Sequence, residues 1–227
     1  MIEKHLSINN EEYVKDVRDA LKNIAEVKKY QSFEELEDLS EMDQAVVNVS
    51  VVSVYIEAQD LQSDAARGYL RKAIFEAFCE HTKCKEILSL GMYIVGIFDT
   101  PFKSDIDATL DCVGKVNALF KLANKMQVQS HNGAVVKGIG MAYGKVQLTK
   151  CIGGEQTVVC WDGETIETAQ SLSKKAIIGN NNVYATNTIY NNLKEDYQKL
   201  FSKVNSEDYF ESDPINIAMY KWIKANI

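Results

Sequence analysis

Proline is nearly missing from this 227-residue chain, which has two, Pro101 and Pro214. Proline-rich linkers and collagen-like stretches are thereby excluded. No uninterrupted apolar run approaches the ~18 residues that a membrane span requires. There is no C-x-x-C, and the five cysteines, Cys79, Cys84, Cys112, Cys151 and Cys160, are odd in number. A disulfide framework is therefore not expected, and reduced thiols point to the cytoplasm. Positive charge is in deficit, with 25 Lys and Arg against 32 Asp and Glu, a net −7. A general nucleic-acid surface or an anionic-membrane surface is disfavoured, although a local basic patch can survive. The start, MIEKHLSINNEEYVKD, is acidic and polar, unlike a signal or transit peptide. Neither a repeat nor a P-loop pattern occurs; GIG (138–140) and IGG (152–154) are too short, and IGG reads as a turn.

What is present suits one large globular domain: 46% of residues are hydrophobic, and the charges are well mixed. Residues 11–29 carry Val14, Val17, Leu21, Ile24 and Val27 at helical spacing, and the acidic QSFEELEDLSEMD (31–43) reads as a short helix or linker. AVVNVSVVSVYIEA (45–58) is β-branched throughout and reads as a buried strand. A helix over 62–82 follows, with Leu70, Ile74, Ala77 and Phe78 on one face. KEILSLGMYIVGIF (85–98) then reads as two strands around a turn at Leu90-Gly91.

After Pro101, Ser104 and Asp107 form a capping-box pattern before a helix ending near Met126. Residues 134–150 read as a strand pair bent at Gly144. TVVCW (157–161) reads as a further strand, 163–175 as a helix, VYATN (183–187) as a strand and 187–200 as a helix. The tail offers Ile217, Trp222 and Ile223 for docking as a short helix. From residue 45 the order is strand, helix, strand, strand, helix, strand. This is the ferredoxin-like βαββαβ unit, an α+β fold with an antiparallel-rich sheet and helices packed on it. The expected divisions of one unit are 1–44 (helical segment), 45–210 (main domain) and 211–227 (docking tail).

Cys79, His81 and Cys84 form C-x-H-x-x-C, but no second ligand pair follows. Incidental or buried residues are expected there, not zinc.

Three segments carry a resemblance: GIFDTPFKSDIDATLDCVGKVNALF (96–120), GIGMAYGKVQLTK (138–150) and VVCWDGETIETAQSL (158–172). They resemble class III nucleotidyl cyclase catalytic domains, and most of all the stand-alone bacterial cyclases of Pycsar anti-phage defence, which make cyclic CMP or cyclic UMP. IYNNLKEDYQKLF (189–201) and INIAMYKW (215–222) extend the similarity over nearly the whole chain. The resemblance implies a dimer with active sites in the cleft between two sheets. Two acidic residues would hold two divalent metals, and a polar pair on a helix would stabilise the transition state. Cyclisation deprotonates a ribose 3′-hydroxyl, which attacks the α-phosphate as pyrophosphate leaves. Two cations ~4 Å apart, held by hard oxygen ligands, make that possible.

This sequence departs from those requirements. The first metal aspartate falls in VYIEAQDLQS, where one register places Glu57 and a register two residues earlier places Tyr55. The second is replaced by Met92 in GMYIVGIF, a soft thioether ill suited to Mg²⁺ or Mn²⁺. In GETIETAQSL, Glu167 takes the place of the family asparagine and Ser171 that of the cation, four apart on one helix face. A carboxylate ~4 Å from a phosphate costs about 4 kcal/mol at an effective dielectric near 20, roughly a thousandfold in rate. Lys174 and Lys175 lie off that face or a turn later.

The resemblance also implies nucleotide contacts at Trp161, Lys150 and Tyr143. A core-filling Trp161 and a solvated Lys150 are the alternatives, and Lys137 is expected near Lys150. Gly140 and Gly144 match a family turn whose plain reading is a bend, and Asp99, Lys103, Asp105 and Asp107 belong to the FDTPFKSDID signature. The expected function is that of a catalytically degenerate pseudo-cyclase without cofactor. It would act as a homodimer, or as a heterodimer with a cyclase paralogue, or by binding nucleotides. The alternative is an active cyclase of CTP or UTP (or ATP or GTP) with rearranged Mg²⁺ or Mn²⁺ ligands, drawn from Glu57, Asp60 and Glu167.

Overall fold

A 13-residue strand without glycine or proline, QAVVNVSVVSVYI, forms the centre of the molecule, because β-branched side chains favour the extended backbone and fill both faces of a sheet. In the computed structural model, the described residues are 28–30, 33, 44–57, 64–129, 137–153, 156–177, 182–205 and 207–226. The elements are β1 (Lys28–Tyr30), β2 (Gln44–Ile56), α1 (Asp64–Cys79), β3 (Cys84–Leu90), β4 (Tyr93–Phe98), α2 (Lys103–Gln129), β5 (Lys137–Gly153), β6 (Gln156–Asp162), α3 (Glu164–Lys175), β7 (Val183–Thr186), α4 (Asn187–Asn192), α5 (Glu195–Gln198), β8 (Phe201–Lys203), β9 (Tyr209–Ser212) and α6 (Ile217–Asn226).

The sheet order is β3-β4-β2-β5-β7-β9-β8, with β1 beside β2 and β6 beside β5. Strand β2 runs antiparallel to both β4 and β5. The expected βαββαβ unit is therefore present. Alternation along β2 divides the core. Val52, Val54 and Ile56 pack under α1 and α2, against Ile74, Phe78, Val113 and Phe120. Val47, Val49 and Val51 face the opposite side, with Ile166 and Ala169 of α3. The two helices of the unit share one face, and α3 covers the other.

Strand β5 corrects the expected strand pair. It runs unbroken for 17 residues, and Gly144 makes no turn. Its glycines serve close packing, since a Cβ on Gly138 or Gly140 would lie 2.0 Å from Ser173 O or Ala169 O of α3. The capping box is also replaced. Helix α2 starts at Lys103, Asp105 Oδ2 accepts from the Phe102 N–H at 3.1 Å, and Asp107 Oδ1 accepts from the Lys194 N–H at 3.1 Å. The helix expected over 187–200 breaks where Leu193 turns extended (ψ 149°). In the tail Ile223 is buried, whereas Ile217 and Trp222 stay largely exposed. Fully buried Asn117 holds the tail, donating to Asp213 Oδ1 at 2.7 Å and to Pro214 O at 2.8 Å.

Lys28 and Lys29, expected at a helix end, lie in β1, parallel to Ala45 and Val46. The rest of 11–29, and 31–43 apart from Phe33, lie outside the described residues. His81 is occupied by backbone, with Nε2 donating to Ala108 O at 3.0 Å and Nδ1 accepting from the Lys83 N–H at 3.2 Å. Burial pushes the Cys84 and Cys112 thiols up to about 12.

Two outcomes follow. Gly140→Ala should lower stability by about 2–3 kcal/mol through overpacking against α3, while Gly68→Ala, open to solvent in α1, should raise it by about 1 kcal/mol; denaturant melts read both. Iodoacetamide on the native protein should label Cys79 and Cys160, both exposed, and leave Cys84 and Cys112 unmodified until denaturant is added, as read by mass spectrometry.

Candidate functional site

The β3–β4 hairpin turns at Gly91, whose φ of 63° suits a residue without Cβ. The turn brings Met92 beside the end of β2. Tyr55 pairs with Tyr93, and the Ile56 N–H donates to Met92 O at 3.0 Å. The Tyr55 hydroxyl donates to Met92 Sδ at 3.4 Å, with the Tyr55 and Tyr93 rings edge to face at 5.1 Å. Tyr55 is 3% exposed and Met92 42%. Burial first, and the charge of Glu57 second, hold the Tyr55 phenol above its ordinary value. Glu57 follows directly at the strand end, half-buried. Of the two candidates for the first metal position, Tyr55 touches Met92, and Glu57 lies two residues beyond it at the strand end.

Those donors do not suit a hard divalent cation. A protonated phenol and a thioether supply neither negative charge nor a good oxygen ligand for Mg²⁺ or Mn²⁺. Among the described residues no group of three or more His, Cys, Asp or Glu is placed to hold a metal ion. Asp60 lies outside the described residues.

Helix α3 turns Thr165, Ile166, Ala169, Leu172 and Ser173 inward, with Ser173 Oγ 3.1 Å from Ser53 Oγ. Glu167 and Ser171 share its exposed face, pointing away from their own sheet. Lys174 is exposed as well. Lys175 is engaged elsewhere, 3.9 Å from Glu207 and over the Tyr209 ring.

The three nucleotide candidates do not gather at Tyr55. Trp161 stacks on Phe33, ring centroids 5.4 Å apart, and its buried indole nitrogen has no hydrogen-bond partner among the described residues. It pairs with Leu148, ten residues along β5 from the Gly138 that faces Tyr55. Lys150 lies two residues further, up to about 40 Å from Gly138 at ~3.4 Å per residue. Tyr143 lines a cleft of about 570 Å³ with Gln147, Thr165, Thr168, Thr186 and Thr188. Lys137 opposes Ile56 and donates to Asn182 Oδ1 at 3.0 Å, far from Lys150. Burial lowers its ammonium from the ordinary lysine value.

One feature was not anticipated from the sequence. Arg71 of α1 donates from Nη1 to Gly91 O at 3.1 Å and from Nη2 to Ser89 Oγ at 2.7 Å, which clamps the hairpin that carries Met92. The only signal for it was the i,i+4 pair Arg67 and Arg71 in a chain with three arginines.

No family model matches the chain. A uridylate cyclase from Treponema porcinum is 28% identical over 164 residues, covering 68% of this chain, which spans 56% of that relative. A class III adenylyl cyclase-like ATP-binding protein from Pseudomonas aeruginosa superposes with a TM-score of 0.62 at 14% identity, covering 95% of this chain and 49% of that one. A bacterial light-regulated adenylyl cyclase gives 0.60 at 12% identity, covering 99% and 72%. The chain is thus similar in sequence to a uridylate cyclase and shares the fold of class III cyclase domains.

Proposed function

We propose that this protein is a catalytically degenerate cyclase homologue of the Pycsar-like signalling type, one that binds a nucleotide and acts as a dimer, with itself or with an active cyclase. The observation that carries this reading is the Tyr55–Met92 contact: in the register that gives Tyr55 the first metal position, a neutral pair stands where the resemblance puts two metal-holding carboxylates. Cyclisation needs the 3′-hydroxyl activated and the triphosphate charge neutralised. Tyr55 stays protonated at neutral pH, its phenol held up by burial, so it accepts no proton. Met92 offers only a weak acceptor. Glu167, standing where the family carries asparagine, adds negative charge to any phosphate that approaches α3.

Dimerisation is supported by the layout. Glu167 and Ser171 face away from their own sheet, and Trp161 and Lys150 sit far along β5 from Tyr55. A ligand spanning these groups needs a second chain. The name of the Treponema relative makes UTP and cyclic UMP the first ligands to test, in antiviral signalling as the proposed setting.

Incubation with UTP, CTP, ATP or GTP and Mn²⁺ should give no cyclic product and no pyrophosphate, while calorimetry detects nucleotide binding; turnover of any of the four would overturn the reading. The double variant Tyr55→Asp, Met92→Asp should gain Mn²⁺ binding by electron paramagnetic resonance, which the parent lacks. The raised Tyr55 pKa makes a stabilising contribution present below pH 10 and lost as pH rises through the folded-state value. Tyr55→Phe should therefore cost about 1 kcal/mol at pH 7 and lose less stability than the parent above pH 10, as read by denaturant melts.

A further inference from the structure

Arg71 is half-buried against the hairpin tip that carries Met92, and its two hydrogen bonds there go to neutral oxygens, Gly91 O and Ser89 Oγ. No described carboxylate lies within ion-pair distance of it. Arg67, one turn earlier in α1, adds a second positive charge, and burial together with that charge pulls the Arg71 guanidinium below its ordinary value. Two like charges four residues apart on a helix repel each other. A guanidinium has five donors in a rigid plane; two fix that plane on the hairpin, and others can pair with two oxygens of a phosphate group. Lysine far outnumbers arginine in this chain, yet two of its three arginines stand here.

We propose that Arg71, assisted by Arg67, forms a phosphate-binding subsite at the β3–β4 hairpin tip, taking the polyphosphate end of a nucleotide by guanidinium charge where metal-held carboxylates are missing. This rests on the reading of the neighbouring site as a nucleotide site. The subsite requires no divalent cation. The hairpin is held in place before the ligand arrives, because Arg71 already spans from α1 to Ser89 and Gly91.

The test is calorimetry of the whole protein with inorganic triphosphate in EDTA. Binding should be present in the parent and weakened at least tenfold in Arg71→Gln and in Arg67→Gln. Arg71→Lys should be intermediate, and Lys203→Gln, in exposed β8, should be unchanged. Should Arg71→Gln unfold, as checked by circular dichroism, Arg67→Gln carries the test, since it leaves the Arg71 hairpin bonds intact. The proposal is overturned by a parent that binds no triphosphate in EDTA, or by equal affinity in the parent and both glutamine variants. A parallel titration with UTP separates the two ideas. UTP bound equally by the parent and both glutamine variants removes the arginine subsite and leaves the nucleotide reading standing. Arginine-dependent triphosphate binding without UTP binding keeps the subsite and removes the nucleotide reading.

Discussion

Strand β2 has neighbours on both edges and packed side chains on both faces, and the other elements are located by what they do to it. Its hydrogen bonds go to β4 on one side and β5 on the other. Its even-numbered residues from Val52 to Ile56 meet α1 and α2, and its odd-numbered residues from Val47 to Val51 meet the α3 side. A strand committed in four directions cannot slip by one residue without turning every buried valine to the wrong layer. The same fixed register sets Tyr55 opposite Tyr93 and next to Met92. The Tyr55–Met92 contact is thus a consequence of how the sheet aligns and of the tight β3–β4 turn that ends beside β2.

The second constraint is how closely α3 approaches β5. Gly138 and Gly140 place no Cβ beneath α3, so the helix backbone there rests almost directly on the sheet, and Gly144 leaves room for the Thr165 side chain. Thr165 then reaches back, donating from Oγ1 to Lys145 O at 2.8 Å. This contact fixes the rotation of α3 and therefore which residues are turned outward. Glu167 and Ser171 are presented to solvent because Ile166, Ala169 and Leu172 are buried.

How much of this the sequence disclosed depends on whether a signal was local. The β-branched run of β2, the hairpin at Leu90-Gly91 and the helical spacing of Ile106 to Phe120 each declare themselves within a few residues, and each is present in the fold. The Gly138–Gly144 stretch looked like a bend because glycine reads locally as flexibility, whereas its cause is a helix some thirty residues downstream. Ser104 with Asp107 matched a capping pattern, yet Asp105 does the capping and Asp107 is drawn to the Lys194 backbone by tertiary contact. That Tyr55 is the residue touching Met92 depends on strand register, which one sequence does not contain. The Arg71 clamp has no local signature, because its partners lie about twenty residues away on a different element.

The phenol–thioether contact at the end of β2 also bears on how the chain holds itself together. Two carboxylates brought side by side repel, and a protein that keeps them there depends on cations for part of its folded-state stability. Here that corner of the sheet is closed by a neutral hydrogen bond and two aromatic rings in edge contact. The Tyr55–Met92 contact itself needs no cation to offset charge repulsion. The stability of this corner rests on burial and ring packing, neither of which varies with the ion concentration around the protein.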